Sequence, residues 1–144
     1  MDKVSEQAVD IKKCIPHREP FLLVDGVDTF EPGKSIRCWC EVSNCNLLLQ
    51  GHFPGNPLLP GVLMVEALAQ SAGVLAALSF PQLDRVMRLV EVNKARFRRE
   101  VVPGDRLYLF AEIQKQRGDF FFFRGQGDVD GAVACKVDFT AKMT

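Results

Sequence analysis

An imidazole, a carboxylate and a glycine are spaced along the middle of this chain so that together they can do chemistry. His52 lies in Gly51-His52-Phe53-Pro54-Gly55-Asn56-Pro57, and Glu66 interrupts an otherwise almost wholly apolar run that opens at Gly61. The first N–H groups of a helix have no intrahelical acceptor and sit at the positive end of its dipole, so they suit an anion or a polarised carbonyl oxygen. Gly61 has no side chain to block that approach. A base, a carboxylate one turn inside a helix and free N–H donors could then surround one small substrate. Each residue also has a plainer reading. A loop histidine is often structural, Glu66 and Gln70 are one turn apart and fit a narrow solvated stripe, and His17 at the turn into the first strand fits a ring that ties loop backbone together.

The elements that must position these groups can be read from periodicity. Ser5 to Lys13 reads as a short helix ending before Pro16. Leu22 to Phe30 reads as a strand, and Glu31-Pro32-Gly33-Lys34 as the turn after it. Ser35 to Val42 alternates with period two, which places Cys38 and Cys40 on one core-facing side. Residues 43–60, with Pro54, Pro57 and Pro60, read as a stiff extended segment pinned to the core by Phe53, Leu58 and Leu59. Val62 to Leu78 carries only Glu66, Gln70 and Ser71 as polar residues, so it reads as a buried helix. It is short for a membrane span and has a central carboxylate.

Four strands follow: Val86 to Arg98, Arg106 to Lys115, Phe120 to Asp128 and Ala132 to Lys142, with a turn at Val102-Pro103-Gly104-Asp105. Alternation puts Lys94, Arg96 and Arg98 on one face and turns Ala95 and Phe97 toward the core. Phe120 to Phe123 presents rings on both faces, as in a strand buried on both sides or set at a subunit interface. The pattern is α+β, an antiparallel sheet wrapped around one long helix.

The 144 residues fit one domain, 1–144, and at 47% hydrophobic and 25% charged the chain can bury a core without staples. Eighteen basic residues balance eighteen acidic ones, which argues against a general nucleic-acid binder. The balance hides a local excess: Arg85 to Arg106 holds seven basic residues against three acidic. Such a stripe is either a solvated strand face or a docking rim. The cysteines at 14, 38, 40, 45 and 135 show neither CxxC pairs nor a zinc spacing, so no metal is expected. The polar N-terminus has no apolar signal core, so a cytoplasmic, reducing location with no membrane anchor is expected.

Three stretches carry a family resemblance. The run from Gly51 through Pro60-Gly61-Val62 to Glu66-Ala67-Leu68-Ala69-Gln70 resembles the active-site signature of the FabZ-type 3-hydroxyacyl-[acyl-carrier-protein] dehydratases. Ile15-Pro16-His17-Arg18-Glu19-Pro20-Phe21-Leu22-Leu23-Val24-Asp25 and Ala95-Arg96-Phe97-Arg98-Arg99 followed by Val101-Val102-Pro103-Gly104-Asp105 resemble the same family, in the same order, over roughly residues 14–140.

The resemblance implies a hot-dog fold that assembles as dimers and as trimers of dimers, with active sites shared between subunits. It implies reversible loss of water from a 3-hydroxyacyl thioester to give a trans-2-enoyl thioester. His52 and Glu66 match the catalytic pair, and Gly61 the glycine whose N–H binds the thioester carbonyl. Phe53, Val62, Gln70, Lys94, Arg96, Phe97 and Arg98 are then expected in the substrate tunnel or at the carrier-docking surface. No cofactor is implied beyond the phosphopantetheine of the acyl carrier protein that brings the substrate, and the basic stripe suits that acidic partner.

Leu89-Val90-Glu91 departs from the family's usual aromatic-Ala-Gly, and the connection from helix to strand is slightly short. Both point to a reshaped acyl tunnel, serving fatty-acid synthesis or a related polyketide or polyene pathway. A hot-dog acyl thioesterase and a non-catalytic acyl-binding subunit are the alternatives.

Overall fold

The apolar run with three polar interruptions becomes the axis of the molecule. In the computed structural model, which describes residues 2–3, 9–43, 47–83 and 85–144, it forms the 19-residue helix α3, Gly61–Ser79. Leu68, Ala72, Val74 and Leu75 on it are fully buried. Each buried leucine contributes about 1.5–3 kcal/mol relative to an exposed one. By length and hydropathy α3 could cross a membrane, but 61% of its apolar window is buried inside the protein.

A seven-stranded antiparallel sheet curls around this helix in the order β1-β2-β3-β5-β6-β7-β4. Its strands are β1 (Asp2–Lys3), β2 (Gly26–Glu31), β3 (Ser35–Glu41), β4 (Met87–Phe97), β5 (Arg106–Arg117), β6 (Phe120–Val129) and β7 (Ala132–Met143). Two short helices complete the chain, α1 (Ile11–Cys14) and α2 (Leu47–Gln50). The inner face is built by strict alternation: Leu107, Leu109 and Ala111 of β5 and Phe121 and Phe123 of β6 all turn toward α3 and are buried. This is the hot-dog architecture.

The outer sheet face has no second layer, and its rings are covered by cations instead. Arg106 lies over Trp39, Arg37 over Tyr108, Lys115 over Phe122 and Lys142 over Phe120, at 4.1 to 5.5 Å from the ring centroids. The Phe120 to Phe123 strand is therefore not buried on both sides within one chain, because Phe120 keeps 41% of its surface exposed.

Besides the short β1, which the sequence reading does not contain, three elements depart from it by more than one or two residues at an end, each for a local reason. Among the described residues α1 begins at Ile11, where the Asp10 side chain caps the Lys12 N–H; residues 5–8 of the expected helix lie outside the described residues. Strand β2 starts at Gly26 rather than Leu22, because the Leu23 N–H and Phe21 carbonyl bond to the Gln70 side chain instead of a ladder. The stiff 43–60 segment contains a helical turn, α2, that its four residues were too short to announce by periodicity. Cys45 falls outside the described residues.

Candidate active site

Glu66 stands on the second turn of α3 and opens into a cavity of about 340 Å³ with His17, Gln70, Met87 and Leu89 in its wall. Its Oε2 accepts a hydrogen bond from Gln70 Nε2 at 2.9 Å and lies 3.4 Å from His17 Nε2. Gln70 is 1% exposed and its amide orientation is dictated from both ends: Oε1 accepts the Leu23 N–H at 2.8 Å and Nε2 also donates to the Phe21 carbonyl at 2.8 Å. The nitrogen must therefore be the atom facing Glu66. Both described polar neighbours of this carboxyl are on Oε2.

Two plainer readings fall here. Glu66 and Gln70 are not a solvated stripe, since Gln70 is sealed into the core. His17 does not tie the loop: its Nε2 faces Glu66, and its buried Nδ1 has no hydrogen-bond partner among the described residues. The loop is tied by Arg18, whose guanidinium donates to the carbonyls of Lys12, Ile15 and His17. Arg18 escapes the sequence reading because a surface arginine between Pro16 and Pro20 carries no periodic signal.

His52 is held elsewhere. Its Nδ1 lies 3.1 Å from the Leu58 carbonyl, its ring stacks on Phe53 at 4.2 Å, and its backbone carbonyl accepts the Leu58 N–H at 2.7 Å. A carbonyl only accepts, so Nδ1 carries a proton, and in the neutral ring Nε2 is the nitrogen with the lone pair. This is the tautomer of a base. Leu59 N–H then bonds the Val101 carbonyl, anchoring the loop before α3 begins.

At the start of α3 the Pro60 carbonyl accepts from Leu63 and Met64, and among the described residues no side chain caps the helix, so the Gly61 and Val62 N–H groups have no intrahelical acceptor. Val62 is 73% exposed. The Phe97 ring lies against Gly61 so closely that a Cβ there would sit 2.9 Å from it. This corrects the alternation of β4. A bulge between Asn93 and Arg96, with Lys94 at φ 51°, breaks the period, and Phe97 ends half-exposed over Gly61 rather than in the core; Ala95 is exposed too. Lys94, Arg96 and Arg98 still converge, on a surface concavity of about 300 Å³ that adds Arg124 and Lys136 from β6 and β7 and a single acid, Asp138. Those two cations were missed because they are distant in sequence and meet only through strand register.

The His52 ring and the Glu66 carboxylate thus have separate surroundings within one chain. The described polar partners of Glu66 are His17 and Gln70, and that of the His52 ring is Leu58. Among the described residues no group of three or more His, Cys, Asp or Glu could hold a metal ion. Burial pushes the Cys38 and Cys40 thiols up to about 12, removing them as nucleophiles.

The arrangement has relatives. A FabA-like domain matches residues 15–138. A "3-hydroxyacyl-[acyl-carrier-protein] dehydratase FabZ" of Anaeromyxobacter sp. (strain K) is 47% identical over 94% of this chain and 88% of its own length. This chain belongs to the FabZ dehydratase family. A second FabZ dehydratase, of Proteus mirabilis, is 42% identical over 95% of this chain and 93% of its own length. Among solved structures, the dehydratase heterocomplex ApeI:P from Xenorhabdus doucetiae superposes with a TM-score of 0.82 at 20% identity, covering 94% of this chain and 91% of that one. That match concerns the fold. The FabZ relatives span almost the whole chain, including the His52, Gly61 and Glu66 segments.

Proposed function

We propose that this protein, as one catalytic domain over residues 1–144, reversibly dehydrates 3-hydroxyacyl-[acyl-carrier-protein] to the trans-2-enoyl thioester in fatty-acid or related acyl-chain synthesis. Its sites are completed by a second copy of the chain. The observation that carries this reading is the separate placing of two groups: a carboxylate in the wall of a cavity, and a histidine on another loop whose Nδ1 is bonded to the Leu58 carbonyl.

In the reaction, His52 Nε2 removes the C2 proton. Negative charge moves to the thioester oxygen, where the Gly61 N–H receives it. The C2 electron pair forms the C2–C3 double bond as the C3–O bond breaks, and Glu66 Oε1 protonates the departing hydroxyl, which leaves as water. The proton on His52 then returns to Glu66, restoring both groups. His17 and Gln70 act as positioning residues. No cofactor takes part beyond the phosphopantetheine carrying the substrate, and the reaction belongs to the cytoplasm.

Strand β4 supports pairing with a second copy. It ends the sheet, and its eleven residues leave Leu89, Val90, Val92 and Phe97 between 39% and 51% exposed. A long edge strand with exposed apolar side chains among its charged ones offers unpaired backbone groups to another strand. Phe53, 52% exposed beside His52, and Val62 would meet that partner at the acyl chain. The concavity of Lys94, Arg96 and Arg98 supports docking of an acidic carrier.

Mixing and refolding His52→Ala with Glu66→Gln tests the shared site. Each variant alone should lose enoyl formation. Half of the random dimers are mixed, and each rebuilds one intact site, so about a quarter of wild-type activity returns. No return overturns the shared site, wild-type turnover by His52→Ala overturns the mechanism, and free acid as product identifies a thioesterase.

A further inference from the structure

The Phe97 ring lies on the first turn of α3, and a break in strand order puts it there. From Asn93 to Phe97 β4 advances four residues, while its partner β7 advances three, from Asp138 to Cys135. Residues opposite one another share a face of the sheet, and faces alternate along each strand. Cys135 is fully buried on the helix side, so Phe97 is turned to that side too, away from the exposed Asn93. Without the extra residue of the bulge, Phe97 would share the outer face with Asn93. Bulges re-aim side chains in this way beside active sites.

The placement is fixed from both directions. Just beyond Phe97, the Arg98 N–H donates to the Ala134 carbonyl at 2.7 Å, and the carbonyl of fully buried Val101 accepts the Leu59 N–H at 2.8 Å. The end of β4 and the lead into Gly61 are therefore tied to each other. Three adjacent ring carbons, Cγ, Cδ1 and Cε1, would lie 2.9 to 3.1 Å from a Cβ at Gly61. The ring is not core filling, since it keeps 49% of its surface exposed. It covers the turn whose first N–H groups have no intrahelical acceptor.

A donor that receives negative charge on a thioester oxygen serves two reactions alike. In dehydration the charge comes from C2; in hydrolysis it comes from water adding to the carbonyl carbon. The same base could feed the second reaction. His52 Nε2 would take the water proton as the oxygen bonds to carbon, the C–S bond would break, and the proton would pass to sulfur, leaving a free acid and the carrier thiol. Exclusion of water separates the two outcomes. We infer that Phe97 is that barrier: its ring over Gly61 keeps water from the thioester carbonyl and holds the site to loss of water rather than hydrolysis. This rests on the acyl-thioester reading of the site and adds the residue that sets its reaction specificity. A phenyl ring suits the task, being large, rigid and without a polar atom to hold a water.

The test compares wild type, Phe97→Leu and Phe97→Ala on two carrier-protein thioesters, one 3-hydroxyacyl and one saturated, with enoyl product and free acid followed by mass. The saturated thioester has no hydroxyl to lose, so it reads water access alone. Phe97→Ala should raise its hydrolysis about tenfold or more, with Phe97→Leu in between, and the ratio of free acid to enoyl from the 3-hydroxyacyl thioester should rise in the same order. Adding His52→Ala to Phe97→Ala should abolish the hydrolysis. Free acid that neither variant raises, whether or not enoyl formation falls, overturns the inference, and so does hydrolysis that survives His52→Ala. Phe97→Leu keeps an apolar side chain over Gly61, and a thermal melt of each variant shows that the rise is read on folded protein. Absence of enoyl from the wild type would count against the dehydratase reading alone, because hydrolysis of the saturated thioester needs no dehydration.

Discussion

At Gly61 the absence of a side chain does two things at once. It leaves the first N–H of α3 open, and it admits the Phe97 ring to within 2.9 Å of where a Cβ would stand. Gly61→Ala should therefore push Phe97 aside and misplace the N–H donor. The expected outcome is a loss of about 100–1000-fold in kcat, the scale of removing one oxyanion donor, with the melting temperature little changed. Steady-state kinetics beside a thermal melt check it. His52 makes the complementary point: its tautomer follows from one carbonyl, Leu58, that can only accept.

Among the elements, the Gln70 side chain ties α3 to the segment before β2. Gln70 satisfies the Leu23 N–H, the Phe21 carbonyl and Glu66 together. Gln70→Ala leaves two backbone groups without partners, at about 1–3 kcal/mol each, and frees Glu66 to turn. Urea unfolding should show the stability loss, and kcat should drop more than KM rises.

Strand β3 supplies a pH prediction. Cys38 is fully buried, and burial raises its thiol from 9.0 to about 12. The folded state holds that proton more tightly than the unfolded one. The contribution to stability is whole below pH 9 and is lost as pH rises from there through about 12. Cys38→Ala should flatten the alkaline fall of stability over that window, measured by denaturant melts at stepped pH.

For the whole molecule, the balanced charge of the sequence conceals a local organisation. The Lys94, Arg96 and Arg98 cluster gains Arg124 and Lys136 from strands that register beside β4. Charge reversal at Arg96 and Arg98 should weaken turnover of carrier-bound substrate at least tenfold while sparing a short soluble thioester, and the effect should shrink with added salt. Parallel assays with both substrates check it, and equal losses would count against docking.

Periodicity was enough for the order of the main elements and the buried central helix, and motif named the His52, Gly61 and Glu66 set as the candidate site. Repetition at 3.6 and 2.0 residues records which side of each element is sheltered, and these elements are long enough to record it. Interruptions of the period were not legible. The β4 bulge that exposes Phe97, the Gln70 bonds that hold Leu23 out of the sheet and the His17 ring facing Glu66 all depend on groups far apart in sequence. The tertiary structure decided those, because a hydrogen bond or a steric contact is fixed by which chains of atoms meet in space, and no local pattern carries that information.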